Sequence, residues 1–171
     1  MRFAETSLSG YALLALLALA GCSSTPVHVQ PPAPVQAPSG AEIPSRLTLQ
    51  QSNDVTLYAI SLVGTPYRWG GNTPESGFDC SGLIGYVYKS RAGVLTPRTV
   101  SALTDWGQPV PAAAVRTGDL VVFTQNGVTN HAGIYVGEGR FVHAPSKGGE
   151  VRLDALNSKY WGKQPASFRR P

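Results

Sequence analysis

Cysteine, histidine and charge are all scarce in these 171 residues. Two cysteines, Cys22 and Cys80, cannot build the disulfide framework that staples many small exported domains. Three histidines, His28, His131 and His143, leave few candidates for acid–base or metal chemistry. Charged residues make up only 14% and form no acidic or basic block, which excludes a charged interaction tail. The net charge of +4 favours an anionic neighbour, such as a polymer or a membrane surface. No nucleic-acid-binding motif accompanies it, so no nucleic acid is expected as a partner. Long apolar runs are missing too. The longest, Tyr11–Ala20, is far short of the ~20 residues that a membrane-spanning helix needs. There is no internal repeat.

What is present begins with that short run. Behind Arg2 it suits the apolar centre of a signal peptide over residues 1–21. It closes on Leu19-Ala20-Gly21-Cys22, which resembles a bacterial lipobox. That resemblance implies a lipid on Cys22, which becomes the new N-terminus. Ser23, where Asp would retain a Gram-negative lipoprotein at the inner membrane, implies an outer-membrane anchor facing the periplasm. Loss of the leader removes Arg2 and Glu5 together and leaves the net charge unchanged. Residues 22–45 carry six prolines and few large apolar side chains. They read as an extended, disordered tether reaching roughly 70 Å at ~3.1 Å per residue. His28 lies inside it, as a solvated side chain. Residues 46–171 are long enough for one core and form a single expected domain.

The domain changes texture midway. Val55, Tyr58, Ala59, Leu62 and Val63 recur at helical spacing behind N-cap candidates Ser52–Asp54. Residues 65–78 are rich in Gly, Pro and Asn and read as loop. Residues 80–93 put Leu83, Ile84, Val87 and Tyr88 on one stripe, with Lys89 and Arg91 in the last turn and Gly93 just past it. A shorter helix is expected within Thr99–Trp106. After Gly118 come short β-rich runs, "DLVVFT", "AGIYVG", "RFVHA" and "EVRLDA", separated by turn signals. Helices first and a meander second make the class α+β, with N-terminal helices packed on an antiparallel sheet or partial barrel.

With Cys22 lipidated, Cys80 is a lone thiol in an oxidising compartment. Such a thiol is reactive, pairs between molecules, or is buried as a small apolar side chain. Asp79 is a natural N-cap and places Cys80 in the first turn, where the helix dipole should lower its pKa. Gly82 and Gly85 in that helix each cost about 1 kcal/mol against Ala, so something packs closely there, substrate or sheet.

A thiol nucleophile needs a base and an orienter. His131 and His143 flank one hairpin, and parity decides whether they meet. A two-residue loop pairing 137 with 140 would point them apart. A three-residue loop 137–139 with Gly139 as a bulge would pair 136 with 140, setting His143 opposite Gly133 on the face of His131. A zinc site on Cys80, His131 and His143 is the rival use, but these residues lack the compact spacing of common zinc motifs.

The stretches "GTPYRWGGNTPESGFDCSGLIGYVY", "TPRTVSAL", "RTGDLVVF" and "NHAGIYVGEGRFVHAPSKGGEVR" resemble the NlpC/P60 family of bacterial cell-wall cysteine peptidases, lipoprotein murein endopeptidases among them. The resemblance covers roughly residues 52–165 and implies a papain-like core. It implies Cys80 as nucleophile, His131 as general base and acid, and His143 as the polar third residue. Tyr67 would help bind the oxyanion together with the Cys80 N–H. Asp79, Ser81 and Arg68 would line the substrate groove, while Arg98 and Asp119 would be structural. The loop before Cys80 has room for one residue more than in shorter members. The implied activity is hydrolysis of peptidoglycan stem peptides beside diaminopimelate, at D-Ala–diaminopimelate cross-links or D-Glu–diaminopimelate bonds. No metal or cofactor is implied, and a monomer is expected. The alternative is a non-enzymatic wall-binding lipoprotein on the same fold.

Overall fold

The computed structural model describes residues 42–146 and 149–171. The expected signal peptide, the lipid-bearing Cys22 and nearly all of the tether lie outside the described residues. Within them no helix is long and apolar enough to cross a membrane.

Helix α1 spans Leu49–Ser61. It starts three residues before Ser52, the first of the N-caps expected from sequence. Thr48 and Gln51 form a reciprocal capping box instead: Gln51 N–H donates to Thr48 Oγ1 at 3.2 Å, and Thr48 N–H donates to Gln51 Oε1 at 2.9 Å. Val55 and Ala59 turn inward, while Val63, past the helix, stays exposed.

Helix α2, Cys80–Ala92, has the expected bounds. Asp79 caps its start, and Gly93 ends it in the left-handed conformation at φ 67°. Leu83, Ile84, Val87 and Tyr88 are fully buried, and the Tyr88 hydroxyl donates to the Gly118 carbonyl at 2.6 Å. Gly82 is explained by the chain itself. A Cβ there would overlap the carbonyl oxygen of Gly71, in the loop that precedes the helix. That close approach lets Asp79 N–H donate to the same carbonyl at 3.1 Å. Helix α3 is a single turn, Val100–Leu103, capped by Thr99.

Two short strands, β1 (Asn72–Thr73) and β2 (Gly77–Phe78), pair within the loop before α2. The main sheet contains β3 (Gln108–Val110), β4 (Leu120–Gln125), β5 (Val128–Gly137), β6 (Arg140–His143), β7 (Arg152–Ala155) and β8 (Ala166–Arg170). Its order is β3-β8-β4-β5-β6-β7, antiparallel throughout. β3 and β8 were not foreseen: each is short, β3 carries Pro109, and they pair only with distant segments. β4 is buried on both faces, as its unbroken apolar run suggests. Leu120 and Val122 join Ala132, Ile134 and Val142 against the helices, while Val121 and Phe123 join Phe141 and Trp161 in a second cluster. Asp119, at the entry to β4, is bound to Arg170 of β8 through both oxygens, at 3.0 and 2.8 Å, and both residues are buried.

Candidate active site

The β5–β6 hairpin combines the two loop geometries that sequence left open. Its turn has two residues, Glu138 and Gly139, both at positive φ, and pairs Gly137 with Arg140. The register then slips at Val136, so Tyr135 faces Phe141 and Ile134 faces Val142. The bulge therefore lies inside β5 and not in the loop. Its effect is the one the three-residue loop would have had. Continued by one pair, the register sets His143 against Gly133, and a Cβ on Gly133 would meet the Val142 carbonyl at 2.7 Å and the His143 Cβ at 3.1 Å. Glycine leaves the space across which His131 Nε2 and His143 Nδ1 close to 2.8 Å.

The side chains around this pair extend it. His143 is fully buried, and its Nε2 lies 3.0 Å from Asp154 Oδ2. The Trp161 indole N–H donates to the same oxygen at 3.0 Å. Trp161 also stacks on His131, centroids 5.2 Å apart at 23°, and meets His143 edge-on. Sequence reasoning missed Asp154 and Trp161. Asp154 shares the face of His143 because Arg152 opposes His143 and Asp154 is two residues further along β7, a register the sequence alone does not fix. A cleft of about 730 Å³ opens beside the pair, lined by Asn130, His131, His143, Arg152, Lys159 and Tyr160 among others.

Burial drives the His131 pKa down to about 3, helped by the neighbouring His143 and opposed by Asp154. Burial likewise lowers His143 to about 4, although Asp154 pulls it upward. Both imidazoles are therefore neutral bases at neutral pH. Burial alone would raise the Asp154 carboxyl, but the bonds from Trp161 and His143 outweigh it and hold the group ionised.

Cys80 is half-buried at the first turn of α2. The backbone N–H groups of Ser81, Cys80 and Ala132 act on its sulfur, so the thiol meets β5 one residue past His131. Those groups favour the thiolate, as the helix start predicts. Burial and the Asp79 charge outweigh them, and the pKa rises above the usual thiol value. This corrects the expected lowering: the resting site pairs a neutral thiol with a neutral imidazole.

The flanking residues are engaged internally. Asp79 accepts from Gly82 N–H at 2.7 Å and Gly70 N–H at 2.9 Å, and binds Arg98 through both oxygens at 2.7 and 3.0 Å. Burial would raise its carboxyl, but Arg98, Gly82 and Ser81 hold it below the usual range. Ser81 is buried, and its hydroxyl donates to the Arg98 carbonyl at 2.8 Å. Tyr67 is half-buried, and burial, Cys80 and Asp79 all raise its pKa, so its hydroxyl stays a donor. Arg68 is exposed, its backbone N–H bound to the Phe78 carbonyl at 2.9 Å. Among the described residues no group of three His, Cys, Asp or Glu side chains is arranged to hold a metal ion.

Comparison with known proteins gives a consistent result. A sequence profile described as the NlpC/P60 family matches residues 64–170. Murein DD-endopeptidase MepH of Escherichia coli is 40% identical over 127 residues, covering 71% of this chain and 47% of that protein. Gamma-DL-glutamyl hydrolase of Bacillus subtilis is 38% identical over 118 residues, covering 68% of this chain and 28% of that protein. The chain thus spans less than half the length of either relative. Among solved structures, an NlpC/P60 family protein from Bacillus cereus superposes with a TM-score of 0.65 at 29% identity, over 75% of this chain and 41% of that one. The NlpC/p60 domain of the peptidoglycan hydrolase SagA gives 0.60 at 30% identity, over 68% and 96%.

Proposed function

The chain belongs to the NlpC/P60 family, and we propose that it is a cysteine peptidase that hydrolyses amide bonds in peptidoglycan stem peptides. One observation carries this reading: a polar line His131–His143–Asp154 ends on β5 beside the residue whose N–H reaches the lone thiol of α2. In the first step the Cys80 thiol gives its proton to neutral His131 as sulfur attacks the amide carbonyl. The resulting oxyanion takes hydrogen bonds from the Tyr67 hydroxyl and the Cys80 N–H. His131 then returns the proton to the leaving amine, and the C–N bond breaks to leave a thioester. Water, deprotonated by His131, releases the acid and restores the thiol.

Two target bonds beside diaminopimelate belong to the proposal, the D-Ala–diaminopimelate cross-link and the D-Glu–diaminopimelate bond; of the relatives, one is named a murein DD-endopeptidase and another a gamma-DL-glutamyl hydrolase. Digestion of purified cross-linked and uncross-linked muropeptides, with products identified by mass, tests this. Release of monomers from dimers assigns the first bond, and cleavage within the monomer stem assigns the second. Intact muropeptides after prolonged incubation would leave only a wall-binding protein.

The same reading makes Cys22 the lipid-bearing residue of an outer-membrane protein facing the periplasm, supported by the Leu19-Ala20-Gly21-Cys22 sequence and by Ser23. Groove contacts at Asp79, Ser81 and Arg68, and a monomeric state, belong to the proposal as well. Cys22→Ala should move the protein from the membrane to the soluble fraction. Retention in the membrane would count against the anchor.

A further inference from the structure

We infer that Asp154 is a positioning residue that fixes the tautomer of both imidazoles and leaves His131 Nδ1 as the basic nitrogen of the site. An ionised carboxylate only accepts hydrogen bonds. Its 3.0 Å contact with His143 Nε2 therefore places a proton on that nitrogen. A neutral imidazole carries one N–H, so His143 Nδ1 holds a lone pair and accepts. The 2.8 Å contact between His143 Nδ1 and His131 Nε2 then requires His131 Nε2 to donate. His131 Nδ1 is left with the lone pair, and any proton taken from a thiol must arrive there.

The carboxylate is itself held in register. Trp161 Nε1–H fixes Oδ2 at 3.0 Å, and Arg152 Nη2 reaches Oδ1 at 3.4 Å. Trp161 also packs against both rings, so the group that locks the acceptor also limits ring rotation. Without Asp154, His143 could turn its N–H toward His131. That would force the proton of His131 onto Nδ1 and remove the base.

The imidazole nitrogens can be read directly by two-bond proton–nitrogen correlation on protein labelled with nitrogen-15 at histidine. In the unaltered protein both His131 and His143 should show a protonated Nε2 and an unprotonated Nδ1 near neutral pH. A protonated His131 Nδ1 there would overturn the inference, without any variant having to fold. Asp154→Ala should produce a mixture of tautomers at both residues. Asp154→Asn, whose amide oxygen can still accept from His143 and Trp161, should keep the original pattern. Turnover rests on the peptidase reading. There Asp154→Ala should lower kcat by roughly 10–100-fold with little change in KM, and Asp154→Asn should recover most of the loss. Unchanged tautomers in Asp154→Ala would sink the positioning role whatever the activity shows. Correct tautomers in a protein that cleaves nothing would sink the peptidase reading alone.

Discussion

A Cys80→Ala, His131→Ala double variant should turn over muropeptides no more slowly than either single variant, each of which should fall by roughly 10⁴–10⁶-fold in kcat. The reason is the protonation state of the resting site. The thiol pKa lies above its usual value and His131 is neutral down to about pH 3, so neither group is activated in advance. Proton transfer and sulfur attack must occur together, and removing either partner removes the whole step. Singles that multiply in the double variant would show that the two act independently. The same state sets the acid limb. An imidazole whose pKa is lowered keeps its lone pair above that pKa and loses it as pH falls through it. The acid loss of kcat/KM should therefore lie near pH 4 or below, where His143 and His131 take up protons. A midpoint near the ordinary histidine value of about 6.5 would contradict the buried, neutral pair.

Arg170→Met should lower the unfolding free energy by about 3–5 kcal/mol, because it strands a buried carboxylate. Asp119 accepts from Arg170 Nε and Nη2 and from the Arg116 N–H, and it is only 1% exposed. With the guanidinium gone, one backbone donor remains for a full charge. The Ala114 carbonyl also loses its 2.8 Å bond from Arg170 Nη2. For a domain of this size the melting temperature should drop by roughly 10–20 °C. Adding Asp119→Leu to Arg170→Met should restore much of the loss, since no charge is then left unpaired. Urea melts of the parent and of the two variants decide the matter. A single variant within about 1 kcal/mol of the parent would show that the pair is hydrated and dispensable.

How much of this was legible in the sequence follows from how local each feature is. The bounds of α2 were readable because Asp79 and Gly93 act on their own turns. The pairing of His131 with His143 was readable because one hairpin of known parity joins them. Its bulge was misplaced, since a slip at Val136 and a wider loop leave the same register downstream. The capping box of α1 was present as Thr48 and Gln51 and was passed over for the more polar Ser52–Asp54. Asp154 stayed hidden because the turn signal Ser146-Lys147-Gly148-Gly149 marks a connection between β6 and β7 without fixing which residues pair across it. Trp161 reaches the site from a 3-10 turn whose packing no periodicity predicts. The thiol pKa went the wrong way because a helix start is visible in sequence, whereas burial and the orientation of Asp79 are properties of the packed chain.

The strand order has a further consequence, for the timing of assembly. β4 to β7 can zip in sequence, each onto its predecessor, while α2 closes through contacts with the loop just before it. β3 has no such neighbour: Gln108 pairs with Arg170, across about half of the domain's length. The loop to be closed is long, so this pairing is the slow, entropically costly event of folding. The histidine pair can therefore form early, on a sheet whose first edge is still open. Until β8 docks, Asp119 has no guanidinium, and the segment that leads into β4 is held by its bonds to Tyr88 and Tyr135. The ion pair can therefore close only once β8 has docked beside β4.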